Sequence, residues 1–199
     1  MRLIFVAVLA IVLSGCASKH PPLSREEFLK VSQRVYDGKT PEQVFAAAEK
    51  LFRLADGNDF TYTYSQDGMT AQRQWSFYFV LAAGFGADTW TIKTSQDGVA
   101  TKVSVDVSTT SSQALGPTLV GNYSGTSLYD LFWSRLDYLL GQSNHWMTCE
   151  ESNQRIKDGV VWGSNDPLCD SVTVNDDVPE ELRGVLVKQK PSRPNPNPT

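Results

Sequence analysis

Between residues 60 and 108 the apolar side chains return at every second position, and that period restricts this part of the chain to a sheet buried on one face. Phe60, Tyr62 and Tyr64 alternate with Thr61, Thr63 and Ser65. A second run, 70–81, is dense in Trp75, Phe77, Tyr78 and Phe79. A third, 88–94, sets Trp90 and Ile92 against Thr89, Thr91 and Lys93, and a fourth, 100–108, sets Val103, Val105 and Val107 against Lys102, Ser104 and Asp106. The tetrapeptide Ser-Gln-Asp-Gly occurs at 65–68 and again at 95–98, each time between two of these runs. Asp-Gly is a hairpin signal because Gly tolerates positive φ. The sequence therefore predicts two hairpins, with Gly84-Phe85-Gly86-Ala87 as the turn that joins them. The flanks of the two tetrapeptides do not match, so shared turn chemistry accounts for them better than duplication. Neither carries the alternating acids of a calcium loop.

Helical spacing brackets the strands. Ser24-Arg25-Glu26-Glu27 fits a capping box, followed by Phe28, Val31 and Val35 on one face, with Asp37-Gly38 as the stop. Thr40-Pro41-Glu42-Gln43 opens a second helix, in which Val44, Ala47, Ala48, Leu51 and Ala55, widened by Phe45 and Phe52, form an apolar stripe. Residues 109–125 are small, polar and glycine-rich and read as a long loop. A third helix starts at Thr126 or Ser127, with Asp130 completing a box and Leu128, Leu131, Phe132, Arg135, Leu136 and Leu139 on its buried face; Gly141 ends it.

The N-terminus has its own pattern. Met1-Arg2 precedes an apolar run from Leu3 to Leu13, then Ser14-Gly15-Cys16. A basic head, a short apolar stretch and small residues make a secretory signal, too short to span a bilayer, which takes about 20 apolar residues. Leu13-Ser14-Gly15-Cys16 resembles the lipobox of bacterial lipoproteins. That resemblance implies a signal at 1–15, cleavage before Cys16, acyl chains on Cys16 and a lipidated tether at 16–23. One acyl chain anchors only marginally and two or three hold firmly. With Ala17-Ser18-Lys19 after the cysteine and no Asp, the resemblance further implies an outer-membrane lipoprotein facing the periplasm.

In that oxidising compartment Cys149 and Cys169, the remaining cysteines, are expected to pair, closing a loop worth roughly 3 kcal/mol. The disulfide would staple a loop-rich last third, in which a short helix is expected over 179–187. The Pro- and Asn-rich end, 188–199, reads as a disordered tail. The expected architecture is α+β: a four-stranded antiparallel meander flanked by helices (ααββββα), followed by a disulfide-stapled, loop-rich C-terminal region. A single domain spans 24–187. The element order, though no motif, resembles the helix-grip domains of BamC-type envelope lipoproteins; a shared fold shape transfers no function and no residues.

The chemistry expected of this chain is thin. Net charge is −4, which gives nucleic acid no basic face to meet. A zinc site needs three or four close ligands, and His145 is the only histidine near Cys149 and Cys169; no metal and no cofactor are expected. There is no G-x-S-x-G elbow, and Ser124-Gly125-Thr126-Ser127 reads as a loop closing on a helix cap. Glu26-Glu27, Glu150-Glu151, Asp176-Asp177 and Glu180-Glu181 are adjacent carboxylates, which point apart and suit solvated surface better than glycan hydrolysis. His145-Trp146 is the most site-like pair, a candidate for binding a glycan or a peptide, although a packed Trp with a solvent-facing His suits it better. The expectation is a non-catalytic binding or assembly role, anchored to the membrane through lipid at Cys16 and directed to an envelope protein or cell-wall partner. The working surface is expected on 109–125 and 142–170, with the tail dispensable. An inhibitor or exclusion protein is the alternative, and a peptidoglycan-acting enzyme ranks last.

Overall fold

A computed structural model describes residues 20–56, 59–79, 82–113, 116–169 and 178–182. The expected signal, Cys16, the disordered tail and most of 179–187 lie outside the described residues; only 180–182 are seen to be helical.

The fold is α+β. Helix α1 (Arg25–Ser32) leads into strand β1 (Gln33–Asp37), then α2 (Pro41–Asp56), β2 (Phe60–Tyr64), β3 (Gly68–Phe79), β4 (Ala82–Asp97), β5 (Ala100–Gln113) and β6 (Leu119–Asn122). Helices α3 (Ser127–Leu139), α4 (Cys149–Lys157) and the short α5 (Asp166–Cys169) complete the described elements. The sheet is antiparallel with order β1-β5-β4-β3-β2, and β6 also pairs with β5. Among the described residues it has six strands, not four. β1 lies beside the Ala100 end of β5 and β6 beside 108–111.

Both added strands correct the sequence reading. The capping box at Ser24 forms, but α1 stops at Ser32. The indole of Trp133 donates to the Val31 carbonyl at 2.6 Å, and the Tyr36 hydroxyl donates to Asp137 at 2.8 Å. These bonds to α3, with the ladder to β5, draw residues 33–37 into a strand, and Val35 is left exposed. β6 falls in the stretch expected to be a loop.

The alternation holds under the helices. Met69, Ala71, Trp90, Ile92, Val103, Val105 and Val107 face α2 and α3 and are buried, while Lys93, Lys102 and Asp106 face solvent. Trp90 is the hub: its ring centroid lies 5.2 Å from that of Phe52 on α2 and 5.2 Å from that of Phe132 on α3. The second Ser-Gln-Asp-Gly ends β4, and its Gly98, at φ +61°, makes the turn into β5. The box expected at Thr126 is absent. Thr126 Oγ1 instead accepts from the Trp162 amide, and Asp130 pairs with Arg155 of α4 at 2.9 Å.

The last third is more regular than a loop. Thr148 caps α4 by accepting from the Glu151 amide. Cys149 and Cys169 form a disulfide with Cα atoms 5.7 Å apart, tying α4 to α5.

Candidate functional site

Strands β3, β4 and β5 outrun the helices. Beyond Arg73, β3 continues to Phe79 paired with 82–87 of β4, and β5 continues to Gln113 with β6 at its side. These pieces form a four-stranded arm in the order β3-β4-β5-β6. β2 begins opposite Arg73, at Phe60, and runs away from the arm, so among the described residues no strand pairs with the outer edge of 74–79.

Gly84-Phe85-Gly86-Ala87 lies inside β4; it is not the turn between two hairpins. Its glycines make room for rings. Gly86 stands opposite Trp75, and Gly84 opposite Phe77. A Cβ on Gly86 would lie 2.4 Å from the Trp75 ring and 2.1 Å from the Thr110 carbonyl oxygen; on Gly84 it would lie 2.3 Å from Phe77. The Trp75 and Phe77 rings lie nearly parallel, 6.4 Å apart, across this glycine track. Aromatic side chains laid over cross-strand glycines supply the packing that glycine lacks.

Both faces of the arm expose apolar side chains. Phe77 is 48 % exposed on the face that the helices cover elsewhere, and Tyr78 (85 %) and Phe85 (58 %) are bare on the other. Leu119 and Val120, consecutive on β6 and so on opposite faces, are also exposed. A groove of about 400 Å³ runs over the second face between Gln74, Ser76, Phe85, Thr110 and Ser112. No Asp, Glu, Lys or Arg occurs between Arg73 and Asp88 or between Asp106 and Asp130, in a chain that is 20 % charged. Bare apolar side chains gathered on an uncharged arm are the pattern of an interaction site.

The base of the arm is fixed by a buried ion pair. Arg73 and Asp88 are cross-strand partners with Nη2 3.3 Å from Oδ2, both almost wholly buried. The Tyr123 hydroxyl donates to Asp88 at 3.2 Å. Burial, then the charge of Asp88 and this hydrogen bond, push the Tyr123 phenol well above its ordinary pKa, so it stays a donor.

The residues singled out by sequence lie elsewhere. Trp146 is 2 % exposed, held between the Arg135 guanidinium, 5.0 Å from its ring centroid, and Tyr138 at 5.6 Å. His145 is exposed beside Glu151, 2.9 Å away. Glu150 and Glu151 occupy the first turn of α4, where carboxylates suit the helix dipole. Arg135, expected on an apolar face, is fully buried and donates to the Met147 carbonyl at 3.0 Å and towards Cys149 Sγ at 3.3 Å. The structure thus places His145 and Trp146 around the disulfide, away from the arm.

Sequence reasoning passed over Trp75, Phe77, Tyr78 and Phe85 as a surface. The missed signal was the absence of charge over two separate stretches that the strand register brings together. Among the described residues no group of three or more His, Cys, Asp or Glu could hold a metal, and no helix is long and apolar enough to cross a membrane. No family model matches the chain, and no match was found among curated proteins or solved structures.

Proposed function

We propose that this is an envelope lipoprotein, anchored through acyl chains on Cys16 in the outer membrane and facing the periplasm, with a non-catalytic binding or assembly role performed by the arm. The observation that carries the reading is the arm itself: four strands without a charged residue, with Phe77, Tyr78 and Phe85 bare on its two faces. Hydrolysis needs carboxylates, histidine or activated hydroxyls at hydrogen-bonding distance from a cleft. The arm offers rings, amides and hydroxyls, which bind without reacting. The lipobox at 13–16 supports the anchor.

Two measurements test this. Cys16→Ala should abolish incorporation of radiolabelled palmitate; equal labelling of the variant would overturn the anchor. A Cys16→Ala form exported behind an ordinary cleavable signal should retain residual association with envelopes through the arm. Adding Tyr78→Asp and Phe85→Asp should remove that association in sedimentation. If residual association survives both substitutions, the working surface is not the arm.

A further inference from the structure

We propose that the arm dips into the headgroup zone of the bilayer beside the lipid anchor, giving the protein a second point of membrane attachment. The inference rests on the arm being the working surface and names what that surface meets. Three observations favour a bilayer over a protein partner.

The first is the distribution of exposed rings. A folded partner covers one face of a sheet, yet Phe77 lies bare on one face and Tyr78 and Phe85 on the other. A lipid interface surrounds both faces at once. The second is composition. Everything between these rings is uncharged: Gln74, Ser76, Thr110 and Ser112 offer amides and hydroxyls, and Trp and Tyr settle at the level of lipid headgroups. The six residues beyond Arg73 extend about 20 Å, and a spanning strand needs about 9–11 residues in a closed barrel. The arm is therefore built to enter the interface without crossing the membrane.

The third is where the chain comes from. His20, the first described residue, stacks on Trp162 at 5.1 Å. The Trp162 carbonyl accepts from the Ser127 amide, and Tyr123, just upstream, bonds to Val107 and Asp88 at the base of the arm. His20 thus sits at the end of the sheet from which the arm projects. Three residues, and so four Cα steps, separate His20 from Cys16, a reach of about 14 Å at most. An anchor on that leash keeps the arm within touching distance of the lipid. The opposite end of the sheet carries Asp37, Lys39, Asp67, Asp97 and Lys102 and suits water.

The test uses the full-length lipidated protein carrying Tyr78→Cys or Val99→Cys, labelled with an environment-sensitive fluorophore. Both side chains are largely exposed, so neither change threatens the fold, and Cys149 and Cys169 are bonded to each other. The proteins are reconstituted into vesicles of phosphatidylethanolamine and phosphatidylglycerol, with and without lipids bearing a shallow nitroxide. The expected result is a blue shift and nitroxide quenching at position 78, with neither at 99. Position 78 as wet as position 99 would overturn the inference. So would a blue shift at 78 that nitroxide lipids leave unquenched while a crosslinker joins labelled copies, since the arm would then be buried against a second copy. Palmitate labelling separates this inference from the anchor. Protein that takes up palmitate but stays wet at 78 loses the arm insertion and keeps the anchor; protein that takes up none but is quenched at 78 does the reverse.

Discussion

In β3, β4 and β5 the stretches around Met69, Trp90 and Val105 lie under helices α2 and α3, whereas 74–79, 82–87 and 109–113 of the same strands carry Phe77 and Phe85 into the open. The backbone ladder is continuous across the boundary. What changes is the side chains. Under the helices large apolar groups alternate with charged or polar ones, as a one-sided core requires. In the arm, glycine sits opposite aromatic, hydroxyl replaces charge, and neither face is reserved for water. Hydrogen bonding alone can extend a sheet, but a core needs volume on one face. The buried pair Arg73–Asp88 marks where one regime gives way to the other.

The comparison breaks most readily at Trp90. Trp90→Ala removes a fully buried ring packed between Phe52 and Phe132 and should cost about 4 kcal/mol in denaturant unfolding. Tyr78→Asp on the arm should stay within about 0.5 kcal/mol. If the two losses were similar, the arm would be part of the core. Next comes the disulfide. Replacing Cys149 and Cys169 together with Ala releases a link between residues 20 apart and should cost about 3 kcal/mol, seen as a lower unfolding midpoint. A smaller loss than either of these sharpens the boundary. Gly86→Ala drives a methyl into the Thr110 carbonyl and the Trp75 ring and should cost about 2 kcal/mol, with hydrogen-exchange protection lost in 82–87 and kept at 90–94. Equal loss of protection in both stretches would show that arm and core open as one unit.

The helix-covered half was legible from sequence because burial on one face writes a period of two into the residues. The stripe Val44, Ala47, Ala48, Leu51 and Ala55 is buried as its spacing implied, as are Trp90, Ile92 and Val103, Val105 and Val107. The Cys149–Cys169 pairing also followed, from the cysteine count and the expected compartment. β1 and β6 were not legible. Each has five residues or fewer, and each exists by pairing with β5, a contact distant in sequence for β1 and masked by Ser, Thr and Gly around β6. Ser and Thr serve loops and strands alike, and in 109–113 the ladder to β4 decides between them. Gly84 and Gly86 looked like a turn because glycine's role as a floor beneath a ring depends on Trp75 and Phe77, which register places opposite. Trp146 drew attention as a ring beside a histidine, and the cation stacked on it, Arg135, comes from a helix whose face looked apolar.

The length of β4 has a consequence for posture. It runs sixteen residues without a break, about 50 Å, from the arm to the turn at Gly98. A body held by a flexible leash alone sweeps through every tilt its leash allows and shows its neighbours all sides in turn. Give it a second foothold at the end of a stiff beam and its attitude is set: the Gly98 turn stands off the surface by up to the beam's length, less whatever the tilt takes. Anything this protein meets at that height would meet one fixed side, at a local concentration that a swinging body cannot offer.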